Sequence, residues 1–167
     1  MAIPSMNARW ILIDGYSLIH RQCKPGERPG HLMTARQHLI RKLEEVAGRL
    51  AERITVVFDG AGSPKLKGER DGEGYSSSVE VLFSPSDKTA DTLIERMVHE
   101  APDSAGIMVV TSDRLERETT GAAGADTMSC GDFLEWCERT RRELLRQAGQ
   151  HTNKNFDARL GDYFPKK

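Results

Sequence analysis

Apolar residues in this chain fall into short unbroken runs, separated by longer stretches in which they recur every three or four positions. Trp10-Ile-Leu-Ile13, Ile54-Thr-Val-Val-Phe58 and Ile107-Met-Val-Val110 are too short for helices and read as strands buried on both faces. Val79 to Phe83 reads as a further strand at a sheet edge, and a short one is expected at Ala125 to Met128. Leu32, Ala35, Leu39, Leu43, Val46, Ala47 and Leu50 follow helical spacing and predict one long amphipathic helix to about Glu52. Thr34-x-x-Gln37 has the form of a capping box for it. A second helix is expected from about Lys88, with Asp87 as N-cap and Ala90, Leu93, Ile94, Met97, Val98 and Ala101 on its buried stripe. A short helix near Leu115 to Thr120 and a final one over roughly Gly131 to Arg146 complete the set. Strands alternating with helices imply parallel pairing and right-handed crossovers, so the expectation is an α/β fold with a mainly parallel central sheet.

One domain suits 167 residues. The periodic part spans 9–148, after a short extension at 1–8; from 149 to 167 periodicity is lost, and a polar, mobile tail is expected. The stretch from His20 to Gly30 reads as a loop. Gly60 to Ser78, rich in Gly and Ser with Lys65, Lys67 and Arg70 among several acids, is too long for a turn, and such loops are usually functional or disordered. The composition, 38% apolar with mean hydropathy −0.53, indicates a generous polar surface. No apolar run approaches the roughly 20 residues that cross a bilayer. The first residues lack the pattern of a signal peptide. Cys23, Cys130 and Cys137 show no Cys-x-x-Cys spacing. Together these favour a reduced, cytoplasmic setting.

Net charge is −1, yet it is unevenly spread: Glu138 to Lys167 holds 8 Lys/Arg against 4 Asp/Glu, and the rest holds 16 against 21. An acidic body with a basic end suits a polyanionic partner.

The candidate chemistry sits where the strands stop. Asp14, Asp59 and Asp113 follow three buried runs, and in an open parallel sheet the carboxyl ends of strands gather where ligands bind. Asp91 borders the buried stripe of its helix and can look sideways into the same pocket. A single strand-end aspartate is more often a turn-former or helix cap. Three at matched ends, with a fourth acid beside them, describe a pocket for Mg²⁺ or Mn²⁺, one ion or two, because the ligands are hard oxygens with no His or Cys cluster. The chain has no phosphate-binding Gly-x-x-x-x-Gly-Lys-Ser/Thr loop and no Gly-x-Ser-x-Gly elbow. What remains is metal-assisted attack of water on a phosphodiester. An aspartyl phosphatase ranks last, since Tyr16 stands where its second Asp belongs.

These motifs, Ile-Leu-Ile-Asp14-Gly-Tyr-Ser17, Val-Val-Phe-Asp59, Val79-Glu-Val-Leu-Phe-Ser84, Thr89-Ala-Asp91 and Thr111-Ser-Asp113, resemble in order and spacing the YacP-like branch of the NYN domains, within the PIN-like nuclease superfamily. The resemblance runs from about Arg9 to the last helix. It implies a PIN-like three-layer α/β/α sandwich and a Mg²⁺-dependent endoribonuclease with Asp14, Asp59, Asp91 and Asp113 as its acidic cluster and metal ligands. Ser17, Thr111 and Ser112 would line the pocket. Ser17 departs from the family pattern, which has Asn there. RNA, free or within a ribonucleoprotein, would meet cations outside the acidic pocket: Lys65, Lys67, Arg70, Arg114, Arg139 and Arg142. The competing expectation is a PIN-like module that binds RNA or a ribonucleoprotein with little or no catalysis.

Overall fold

Ile11, Leu12 and Ile13 are all fully buried, yet they serve two different cores. Side chains alternate across a strand, so Ile11 and Ile13 join one apolar cluster while Leu12 joins the other. The same split divides Ile54, Val56 and Phe58 from Val57, and Met108 and Val110 from Ile107 and Val109. A sheet apolar on both faces needs a helical layer on each, and that requirement fixes the architecture.

The computed structural model describes residues 8–23, 32–60 and 78–163, with side chains to residue 150. Its elements are β1 (Trp10–Asp14), α1 (Gly15–Gln22), α2 (Leu32–Glu44), α3 (Ala47–Leu50), β2 (Arg53–Phe58), β3 (Glu80–Phe83), α4 (Ala90–Glu100), β4 (Ile107–Val110), α5 (Arg114–Ala122), β5 (Asp126–Met128) and α6 (Cys130–Tyr163), with a short 3₁₀ turn at Ser104–Gly106. The five strands pair in the order β3-β2-β1-β4-β5, and every pairing is parallel. Leu18, Ile19, Leu39, Ile40, Leu43, Leu50 and Phe133 bring α1, α2, α3 and α6 onto one face. Ala90, Ile94 and Val98 of α4 cover the other, where α5 packs against α4 and β5. The expected three-layer α/β/α sandwich is the fold observed. The chain builds outward from β1 to β3, then returns to place β4 on the opposite side of β1. That reversal puts the topological switch point, where such sheets open a crevice, between the carboxyl ends of β1 and β4.

Several local expectations give way. The helix α1 begins directly after Asp14 and runs to Gln22, into the stretch from His20 that was expected to be a loop. Asp14 is its N-cap, accepting from the Ser17 N–H, and Gly15 is required by space. A Cβ there would lie 2.3 Å from the Phe58 ring. The helix expected to reach Glu52 stops at Glu44. The Val46 N–H bonds to Leu43 O at 3.1 Å, a tight turn that lets Val46, Ala47 and Leu50 all bury. Thr34 lies inside α2, so the proposed capping box is not its start. Thr89, not Asp87, caps α4, accepting from the Thr92 N–H. Beyond Arg146, where the apolar period fades, α6 continues to Tyr163; no proline interrupts it before Pro165. Among the described residues no helix is long and apolar enough to cross a membrane.

Candidate active site

Asp14 is the last residue of the central strand, with 8% of its surface exposed. Its Oδ1 accepts from the Ser17 N–H at 3.2 Å and its Oδ2 from the Ser17 hydroxyl at 2.9 Å. The serine at the unusual position is therefore occupied in holding the carboxylate. Asp91 lies in the first turn of α4, half-buried, on the side of that helix that faces the sheet edge. Glu116 lies in the first turn of α5 with 2% of its surface exposed. Carboxylate oxygens of Asp14, Asp91 and Glu116 all fall within 4.8 Å of one another, beside the switch point.

Three acids this close resist ionising together. Burial, first of all, pushes Glu116 up to about 8, and the charges of Asp91 and Asp14 add to it. The nearby Thr111 hydroxyl opposes the shift only in part, and neither Glu116 oxygen has a well-formed hydrogen bond among the described residues. Asp91 is likewise raised, by burial first and by Asp14 next. Orphaned, closely spaced carboxylate oxygens fit a hard divalent cation, which supplies both the missing partner and the missing positive charge. Cys130, buried beside Ser112, lies outside this group, and burial raises its thiol.

Asp113 stands at the edge of this group, where its charge still reaches Asp91. Its Oδ1 caps α5, accepting from the N–H groups of Leu115 at 2.8 Å and Glu116 at 3.4 Å. Thr111 is fully buried and its hydroxyl accepts from the Asp113 N–H at 3.1 Å; Ser112 is exposed and lies near Cys130. Asp59 follows β2, half-buried, with the Ser84 hydroxyl 3.4 Å from its Oδ1. It lies outside the group of three. Ser84 also donates to Lys88 O and accepts from the Gly60 N–H, and a Cβ on Gly60 would lie 2.1 Å from Ser84 O. This contact pins the chain leaving β2 against the end of β3.

Glu116 was not among the residues picked out in the sequence. Asp113-x-x-Glu116 has the spacing of a capping pair, so the available signal pointed to a cap. The structure uses Asp113 for capping and turns Glu116 inward, on the same face as buried Thr120. Among the expected cations, Arg114 is 86% exposed and paired with Glu118. Arg142 lies 3.9 Å from Glu138, and Arg139 lines a groove with Arg49 and Trp136. Lys65, Lys67 and Arg70 lie outside the described residues. Tyr16 packs edge-on against Phe58, ring centroids 5.2 Å apart.

A parallel five-stranded α/β/α sandwich with acids gathered at its carboxyl edge defines the class: a PIN-like nuclease domain. The family model for the YacP-like NYN domain matches residues 11–166. The chain belongs to that family, which is a family of nucleases. A crystal structure of Rae1 (YacP) from Bacillus subtilis superposes with a TM-score of 0.70 at 27% identity, covering 91% of this chain and 86% of that one. A mutant of the same Bacillus subtilis protein, with leucine in place of one tryptophan, gives 0.64 at 28% identity, covering 86% and 84%. No curated protein matches.

Proposed function

We propose that this chain is a metal-dependent endoribonuclease that hydrolyses RNA phosphodiester bonds. The observation that carries this reading is the buried, unpartnered Glu116 carboxylate within 4.8 Å of Asp14 and Asp91 in a nuclease-family fold. Asp14, Asp91 and Glu116 would hold the ion, Mg²⁺ or Mn²⁺; Asp113, whose charge reaches Asp91, and Asp59, at the end of the neighbouring strand β2, are the acids this reading keeps for a second ion or ordered water. The chemistry a divalent ion supplies there is activation of the attacking water and neutralisation of the leaving oxyanion.

The side chains do the positioning. Ser17 and the α1 N-terminus fix the rotamer of Asp14, Asp113 fixes the turn that presents Glu116, and Thr111 lies beneath both. Thr111, Ser112 and Ser17 are the polar lining. RNA, free or within a ribonucleoprotein, is the substrate this reading assigns, with Lys65, Lys67 and Arg70 as outer contacts and the cytoplasm as its setting.

The deciding experiment is Asp14→Asn, which keeps the shape and an acceptor for the Ser17 N–H while removing a charge. Mg²⁺-dependent cleavage of RNA should vanish with the circular dichroism unchanged, and RNA affinity should hold or rise. If wild-type protein binds RNA but cuts none of a range of RNAs with Mg²⁺ or Mn²⁺, the chain is a binding module instead.

A further inference from the structure

Among the described residues, the buried side-chain nitrogen and oxygen atoms that lack a hydrogen-bond partner belong to Glu116, Arg36 and Arg117 alone. All three lie at the carboxyl edge of the sheet. A buried polar group left unpaired is costly, more so if charged, so their coincidence at one edge points to groups the folded chain does not itself supply. Glu116 calls for a cation. The two arginines call for anions.

Arg36, on α2, is only 6% exposed. Its guanidinium lies 5.4 Å from the centroid of Phe83 and 5.8 Å from that of Phe58, the last residues of β3 and β2. The ring faces orient the guanidinium plane but leave its Nε–H without an acceptor, and no carboxylate among the described residues forms an ion pair with it. Arg117 follows Glu116 on α5 and is half-buried, its Nε without an acceptor. Its place directly after the clustered Glu116, on the helix packed against β5, sets it on the β5 side of the acidic group. Elsewhere the helix-borne Arg96, Arg114, Arg141, Arg142 and Arg146 each lie within 4 Å of a glutamate of their own helix. Arg36 and Arg117, each with a buried Nε lacking a partner, flank the acidic group, one towards the outer strands β2 and β3 and the other towards β5. Neighbouring strands lie about 4.8 Å apart, so this edge spans several nucleotides.

We infer that Arg36 and Arg117 bind backbone phosphates on either side of the scissile linkage, so that the RNA strand crosses the carboxyl edge from the ends of β2 and β3, over Asp14, towards β5. This rests on the nuclease reading above and adds the path of its substrate. A guanidinium fork matches the oxygens of a phosphate, and an aromatic-backed one is pre-oriented for it.

The test uses the full chain, a fluorescent single-stranded RNA oligonucleotide and EDTA to prevent turnover, with anisotropy followed from 50 to 300 mM NaCl. Arg117→Ala and Arg36→Met, the latter keeping an apolar stem against the two rings, should each weaken binding about fivefold or more. Each should flatten the slope of log affinity against log salt by about 0.7. Arg117→Lys should restore the slope. Folded variants with wild-type affinity and slope, alongside a wild type that still binds and cuts RNA, would overturn this inference and leave the nuclease reading standing. A wild type that neither binds nor cuts RNA would sink both. If Arg36→Met does not fold, the Nε–H resonances of wild-type Arg36 and Arg117, identified with the Arg→Lys variants, decide the matter. They should move downfield when RNA is added, and unmoved resonances overturn the assignment.

Discussion

Glu116 is the residue on which the site's response to pH turns. In the unfolded chain it ionises near 4.5; in the folded, metal-free protein burial holds its proton to about pH 8. Between these values the folded state carries a proton that the unfolded state has lost, so the contribution of Glu116 to stability is most favourable below pH 4.5 and declines as pH rises towards 8. Asp91, raised for the same reasons, acts in the same direction. Melting temperature measured without metal should therefore fall across that window, and Glu116→Gln should flatten the fall by removing its largest contributor. A divalent ion must displace the same proton. Its apparent affinity, measured by isothermal calorimetry, should climb with pH up to about 8 in wild type and be weaker and less pH-dependent in Glu116→Gln.

At the scale of elements, Asp14, Asp91 and Asp113 are each set by a helix start. Asp14 caps α1, Asp113 caps α5, and Asp91 follows the Thr89 cap of α4. The cap at Asp113 separates two roles that the sequence could not. Asp113→Ser keeps a capping oxygen but discards the charge, whereas Asp113→Ala discards both. Thermal unfolding should find the alanine variant about 1 kcal/mol less stable and the serine variant close to wild type. Cleavage restored by serine would identify Asp113 as a positioning residue for Glu116; cleavage lost in both would identify a direct role for its carboxylate. The start of α1 is also limited by space. Gly15→Ala would drive a methyl into the Phe58 ring, costing about 1–3 kcal/mol. In a double-mutant cycle Phe58→Leu should recover part of that loss.

Across the whole molecule, metal and fold are coupled by mass action. An ion that binds only the native state adds about 2.7 kcal/mol at a hundred times its dissociation constant. Millimolar Mg²⁺ or Mn²⁺ should raise the melting temperature of wild type and leave that of Asp14→Asn unmoved; indifference in wild type would count heavily against a metal site. Much of this was readable from the chain alone. Uninterrupted apolar runs such as Ile11 to Ile13 can be buried only between two layers, so a parallel sheet covered on both faces followed from periodicity. The acids at the ends of those runs followed from the rule that parallel strands finish together. The sequence could not decide which acids meet, because that depends on where helices outside the sheet point their first turns. Asp91 could be placed only to within the edge of a helical stripe, and the structure brings it within 4.8 Å of Asp14. Asp113, adjacent to the same edge, commits its Oδ1 to a helix cap. Neither Glu116 nor Arg36 stood out in the sequence. Both owe their burial to contacts between elements far apart in sequence, and only tertiary packing removes water from such groups and leaves them in need of a partner.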